Sequence, residues 1–258
     1  MINKFFDKVR YKRRQYQKDA IKETARIYLD NEKFFDLFKE VDSVSQSTGV
    51  GLTDYAAIFA YVKKYKPHTI LECGTGKTTW VISLAMQELS LADPHYRPKL
   101  VSMEHNEQWH AEAVKNFPAE RFPFVEIKYS PKDVFGYGLV RGTVYKTVPD
   151  YDYDFVFVDG PGQGIDGVLA GNMDFLRVVL NSKNSVRALL DNRKATIWAY
   201  AVIFGSNKVR FNELFSLGIV DPVSKDDVLI GDLDRMKREF SNYVTCDGSN
   251  LFKELLDS

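Results

Sequence analysis

The chain has 258 residues with 35 basic and 35 acidic side chains and 45% apolar content, a balance that supports a globular core and gives no net attraction to nucleic acid or an anionic membrane. Two cysteines, Cys73 and Cys246, are too few for a disulfide scaffold or a zinc knuckle and suggest a reducing, cytoplasmic setting. No run is long and apolar enough to span a bilayer, the segment MINKFFDKVRYKRR lacks the apolar stretch of a signal peptide, and the length suits one large α/β domain.

Residues 1–50 are expected to form a helical extension to a domain at 51–258. Apolar positions at helical spacing (Ile21, Ala25, Tyr28 and Leu29, then Phe34, Phe35, Leu37, Phe38 and Val41) predict two amphipathic helices that cap the site or join copies of the chain. The cluster Arg10, Lys12, Arg13 and Arg14 reads as a solvated helix face or a contact for an anionic partner. A polar linker, Ser43 to Gly51, precedes a helix expected to be capped by Thr53, to run to Tyr65 and to be ended by Pro67. Strands and helices then alternate, the pattern of a mostly parallel sheet with helices on both faces. Strands are predicted at Thr69 to Cys73, Leu100 to Glu104, Phe124 to Tyr129, Phe155 to Asp159 and Val186 to Asp191, and helices at Thr78 to Leu91, Gln108 to Asn116 and Asn172 to Leu180. Beyond Trp198, AYAVIFG reads as either strand or helix, and two further strands are expected.

The stretch TILECGTGKTTW is a strand, a glycine turn and a helix start, a junction that aims backbone N–H groups into the crevice above a sheet. Gly76, Lys77 and Thr78 match the end of a P-loop, but its first glycine would be Leu71; a dinucleotide motif from Gly74 and Gly76 would need its third glycine at Thr79. The remaining pattern is acid-x-Gly-x-Gly, through Glu72, Gly74, Thr75 and Gly76. Glu104, ending the second strand, suits a ribose because a carboxylate accepts from both hydroxyls; a surface acid is the plain alternative. His105 and Asn106 flank the same crevice, or are merely solvated. Asp133 follows Ser130 and Pro131, turn chemistry in which it could cap a helix. DFVFVDGPG closes a fourth apolar strand in Asp159, and taken alone could be a Walker B strand. Gly162, Gly164 and Gly167 spell a second glycine pattern, better read as a loop over the site than as a nicotinamide motif. The tyrosine-rich segment from Tyr137 to Tyr153 is expected either to shape an acceptor pocket or to pack beneath a loop.

LECGTGKTTW, VSMEHNEQW and DFVFVDGPG, in that order over roughly residues 50–195, resemble the class I S-adenosylmethionine-dependent methyltransferases, in a subfamily with LE-x-G-[ST]-G-x-[ST]-T, S-x-E-H and VDGP motifs. Thr78 stands where the commonest form has a third glycine. The resemblance implies a Rossmann-like, seven-stranded α/β sheet whose last strands are antiparallel. It also implies that S-adenosyl-L-methionine is held by Glu72, Gly74, Thr75, Gly76, Glu104, His105, Asp133 and Asp159. Methyl transfer to a small-molecule or glycan oxygen is then expected, with Asp159 or Asp191 as the base, and no nucleic-acid or membrane partner. Asp159, Asp191 and Asn192 also resemble a set that holds a divalent cation in catechol-type enzymes; no metal is the expectation, since Arg193 could fill that space. The rival readings are a nucleotide hydrolase and a domain that binds the cofactor without turnover.

Overall fold

The computed structural model describes residues 2–31, 34–44, 51–137, 140–162, 171–213 and 215–229. Among these, α1 (Ile2–Asn31), α2 (Phe34–Val44) and α3 (Leu52–Tyr65) precede the first strand. The helix α3 begins one residue before Thr53: Gly51 is the cap residue, with its amide donating to the Asp54 carboxylate at 3.0 Å, and Thr53 lies inside the first turn and not at the cap. At its other end Lys66 adopts φ 48°, and the chain leaves through Pro67 into the sheet. Most of the linker predicted at Ser43 to Gly51 lies outside the described residues, as do Cys246, Gly164 and Gly167.

The main sheet has seven strands, β1 (Thr69–Cys73), β2 (Lys99–Glu104), β3 (Val125–Tyr129), β6 (Phe155–Val158), β8 (Val186–Leu190), β9 (Val209–Asn212) and β10 (Leu217–Val223), ordered β3-β2-β1-β6-β8-β10-β9. The helices α4 (Lys77–Ala92), α5 (Glu107–Asn116), α6 (Asp174–Asn181) and α7 (Lys194–Phe204) provide the crossovers. This is the Rossmann-like α/β architecture expected from the alternation. The last strands are antiparallel as expected, with β10 running against both of its neighbours, β8 and β9. The cause is local: α7 carries the chain over to β9, which keeps the common direction, and a short hairpin then returns β10 between β9 and β8. The ambiguous AYAVIFG belongs to α7 up to Phe204.

Alternation along the central strands divides the core. Leu71, Cys73, Val101, Met103, Val156 and Val158 face α6 and α7. Ile70, Leu100, Phe155 and Phe157 face the other way, into a cluster with α3 and α4 that also takes Leu29 of α1 and Phe34 of α2. Residues expected to form a loop after β3 instead make β4 (Lys132–Tyr137) and β5 (Val140–Tyr145), which pair antiparallel, and β5 adds the short parallel strand β7 (Gly171–Asn172).

Strand order reverses between β1 and β6, and there the two following loops touch through glycine. Gly74 has φ +104°, and a Cβ on it would sit 2.8 Å from the Gly160 amide nitrogen; a Cβ on Gly160 would sit 2.7 Å from the Gly74 Cα. Both positions therefore require the absence of a side chain. Gly74→Ala is expected to cost about 1–3 kcal/mol of stability in urea denaturation, from backbone strain and overlap. Gly136→Ala, whose Cβ would come no closer than 3.9 Å to its nearest neighbour, Arg141 Cγ, should stay within about 0.5 kcal/mol. Equal losses in the two variants would contradict the contact.

Candidate active-site crevice

At the carboxyl ends of β1 and β2 a buried carboxylate organises the glycine turn. Glu72 is fully buried and accepts hydrogen bonds from Thr78 Oγ1 at 2.5 Å, Thr79 Oγ1 at 2.6 Å and Ser102 Oγ at 2.6 Å. Register sets this up, because Glu72 pairs with Ser102 across β1 and β2 while both threonines lie in the first turn of α4. Thr75 Oγ1 bonds Ser102 Oγ at 2.8 Å, and the Gly76 amide donates to Thr79 Oγ1 at 3.1 Å, so the whole turn is tied to one acid. The amides of Gly74 and Thr75 donate to the Met103 carbonyl at 3.0 and 3.1 Å, and the Tyr145 hydroxyl donates to the same oxygen at 2.9 Å.

These bonds separate the site from a phosphate loop. In a P-loop the Thr after the lysine binds Mg²⁺ and the turn amides cradle phosphate oxygens. Here the Thr78 hydroxyl is held by Glu72 and two of the turn amides by Met103. Lys77 lines the crevice at the start of α4.

The crevice encloses about 190 Å³ and is walled by Gly74 to Thr78, Glu104, His105, Asp159, Gly160, Gly162 and Arg193, with Tyr55 of α3. Of the residues expected to hold a cofactor, Gly74, Thr75, Gly76, Glu104, His105 and Asp159 meet here. Glu72 lies behind the turn and not in the wall. Asp133 is exposed in β4, with its carboxylate accepting from the Val134 amide, and neither lines the crevice nor caps a helix, since no helix follows Pro131. Of the tyrosine-rich segment, Tyr145 supports the crevice from behind, while Tyr151 and Tyr153 border a larger cavity of about 520 Å³ beside α6. That cavity shares no lining residue with the crevice.

Glu104 Oε1 accepts from the amides of His105 at 2.7 Å and Asn106 at 2.8 Å. His105 Nδ1 lies 3.0 Å from the same oxygen, at an angle that makes no hydrogen bond. Burial opposes the Glu104 charge, but the adjacent ring and the two amides outweigh it and hold the carboxyl below its ordinary range. No described residue donates to Oε2.

Asp159 and Asp191 follow β6 and β8, neighbours in the sheet. Burial pushes the Asp159 carboxyl up, the charge of Asp191 pushes it further, and Arg193 pulls the other way. The same Asp191 charge adds to burial in raising Asp54, at the start of α3, to about 6. Arg193 bonds Asp159 Oδ1 at 3.2 Å and the Pro161 carbonyl at 3.0 Å, taking the side of Asp159 where a cation would bind. Asn192 is exposed, and among the described residues no three His, Cys, Asp or Glu side chains gather as a metal site. Behind the crevice Asn172 Nδ2 donates to the Gly160 carbonyl and to buried Asp174, each at 2.8 Å.

Sequence reading missed Asp54, Tyr55, Ser102 and Asn172. Ser102 left a trace, a polar residue inside the apolar run LVSM; the others are brought in by crossovers that leave no local signal.

No protein-family model matches the chain, and no curated protein matches it. Among solved structures it is similar to a methyltransferase-like protein from Silicibacter pomeroyi, at 15% identity over 76% of this chain and 97% of that one, with a TM-score of 0.42. It is similar to an O-methyltransferase from Bacillus cereus at 14% identity, 90% and 84% coverage and a TM-score of 0.38. A methyltransferase from Podospora anserina gives 12% identity, 76% and 69% coverage and a TM-score of 0.38. Likenesses at this level leave the function to be argued from the crevice itself.

Burial pushes the Glu72 carboxyl up to about 7 from an ordinary 4.5, while its three hydroxyl donors pull down. Between those values the folded chain keeps a proton that the unfolded chain has released. Stability must therefore fall as pH rises from about 4.5 to 7 and level off above. Asp174, raised by burial to about 7, adds a fall of the same sign. In Glu72→Gln the drop in unfolding free energy between pH 5 and 7.5 is expected to shrink by on the order of 1–3 kcal/mol. An unchanged drop in urea titrations at the two pH values would contradict this.

Proposed function

We propose that the chain is an S-adenosyl-L-methionine-dependent methyltransferase acting on an oxygen of a small-molecule or sugar acceptor. The observation that carries the reading is Glu104: a carboxylate kept charged by two amides on one oxygen, with the other oxygen unengaged, beside a glycine turn at the strand-order reversal. That arrangement suits the hydroxyls of a ribose better than a phosphate. The fit also draws support from Gly74, where a Cβ would close the space between the two loops. Glu104, His105 and the turn Gly74 to Gly76 would hold the cofactor, which supplies a methyl group already activated on a sulfonium.

The remaining work is alignment, exclusion of water and removal of a proton. Asp159 suits the last, because a carboxyl raised by burial and by Asp191 changes protonation nearer neutrality than an ordinary one. Arg193 fixes its orientation through Oδ1. Tyr55 closes the α3 side of the crevice. A divalent cation is not part of this reading, given the guanidinium beside Asp159.

Calorimetric titration with S-adenosyl-L-methionine or its demethylated product is expected to show binding, and titration with Mg-ATP none. Glu104→Gln keeps the shape and weakens charge-assisted bonds, so affinity should fall by roughly 1.5–3 kcal/mol. Lys77→Ala should change it only a few-fold. ATP binding without adenosylmethionine binding, or loss above about tenfold in Lys77→Ala, would favour the nucleotide-hydrolase alternative.

A further inference from the structure

The helix α1 carries two stripes. Ile21, Ala25 and Leu29 are buried and pack inward. A second row, Arg13, Tyr16, Ala20, Glu23 and Ile27, recurs at alternating spacings of three and four residues and is exposed throughout, Tyr16 at 77% and Ile27 at 49%. The same spacing continues in the sequence to Val9. Residues 11–20 are exposed on every face, and this row has the spacing by which one helix packs along another; no element of the chain covers it among the described residues.

Charge selects what covers it. Residues 2–18 of α1 hold seven basic and one acidic side chain, whereas its remaining residues, 19–31, hold two basic and three acidic. On a membrane, Arg13 and Glu23 would both interrupt the apolar row facing the hydrocarbon. In a parallel pair Arg13 would meet Arg13, and Glu23 would meet Glu23. In an antiparallel pair with its two-fold axis beside residue 18, Tyr16 of one copy faces Ala20 of the other, and Arg13 faces Glu23. The strongly basic first half of each helix then lies along the second half of its mate, where acids slightly outnumber bases, and not along the mate's own basic half.

We propose that α1 is the contact of a symmetric dimer, in which the outer rows of two copies pair antiparallel with Arg13 opposite Glu23. Such an isologous contact uses the same patch twice and closes on itself. Glu23 already bonds Arg26 of its own helix, at 2.8 and 3.1 Å, so its carboxylate is oriented on this exposed face before pairing. The dimer is independent of the chemistry assigned to the crevice.

Sedimentation of the full chain from about 1 to 100 μM tests it, a span that brackets ordinary micromolar association. The wild type is expected to dimerise, Arg13→Glu and Glu23→Arg each to weaken the dimer by at least about tenfold through like-charge contacts, and the double exchange to recover most of the loss. Both substitutions are at exposed sites, and far-UV circular dichroism checks that the helix persists in all three variants. A monomer across the whole range, a dimer indifferent to Arg13→Glu, or a double variant no better than the single ones would overturn the proposal. So would a monomer that binds phosphatidylserine vesicles through this segment.

Discussion

The crevice depends on one buried acid. Glu72 sits at the end of a strand with no exposed surface, where a carboxylate without partners would be strongly disfavoured. Three hydroxyls from two other elements satisfy it, and in doing so they fix the start of α4 against β2. The tight turn from Gly74 to Gly76 is thus held from behind by side chains and from the side by the Met103 carbonyl. That double restraint keeps the wall of the crevice in place without a ligand, which is what preorganised binding requires.

The same bonds decide what the turn is for. Lys-Thr after a glycine suggests phosphate binding, yet the threonine points back to Glu72 and the turn amides reach β2. Recognition then falls to the mouth of the crevice, where Glu104 is the charged acceptor on the β2 side. Across from it burial raises the carboxyls of Asp159 and Asp54, the charge of Asp191 raises both further, and Arg193 opposes the shift at Asp159. One end of the crevice therefore holds a carboxyl kept below its ordinary range and the other a carboxyl raised towards neutrality.

Much of this was legible in the sequence, for a physical reason. Strands β1, β2, β6 and β8 are buried on both faces, so they appear as continuous apolar runs, and their ends are marked by Cys73-Gly74, Glu104, Asp159 and Asp191 where the chain turns into the crevice. The β4 and β5 hairpin escaped because KDVFGY is largely exposed and carries no sustained alternation. The helix α7 was ambiguous because nearly every residue from Thr196 to Phe204 is buried, which erases the 3.6-residue period that distinguishes a helix. Glu72 was recognisable as an acid at a turn, but not as the hub behind it, since its partners come from positions up to thirty residues away. Asp133 was placed at the crevice by the family resemblance and as a helix cap by the Ser-Pro before it, and the β4–β5 pair instead leaves it exposed.

The central claim is that Glu104 receives a ribose at a turn held open by Glu72. A crystal structure with S-adenosylhomocysteine tests it most directly. Both ribose hydroxyls should lie within hydrogen-bond distance of the Glu104 carboxylate, with the turn from Gly74 to Gly76 unmoved and the hydroxyls of Thr78 and Thr79 still on Glu72. A ligand seated away from Glu104, or a turn that rebuilds so that Thr78 leaves Glu72, would contradict the account.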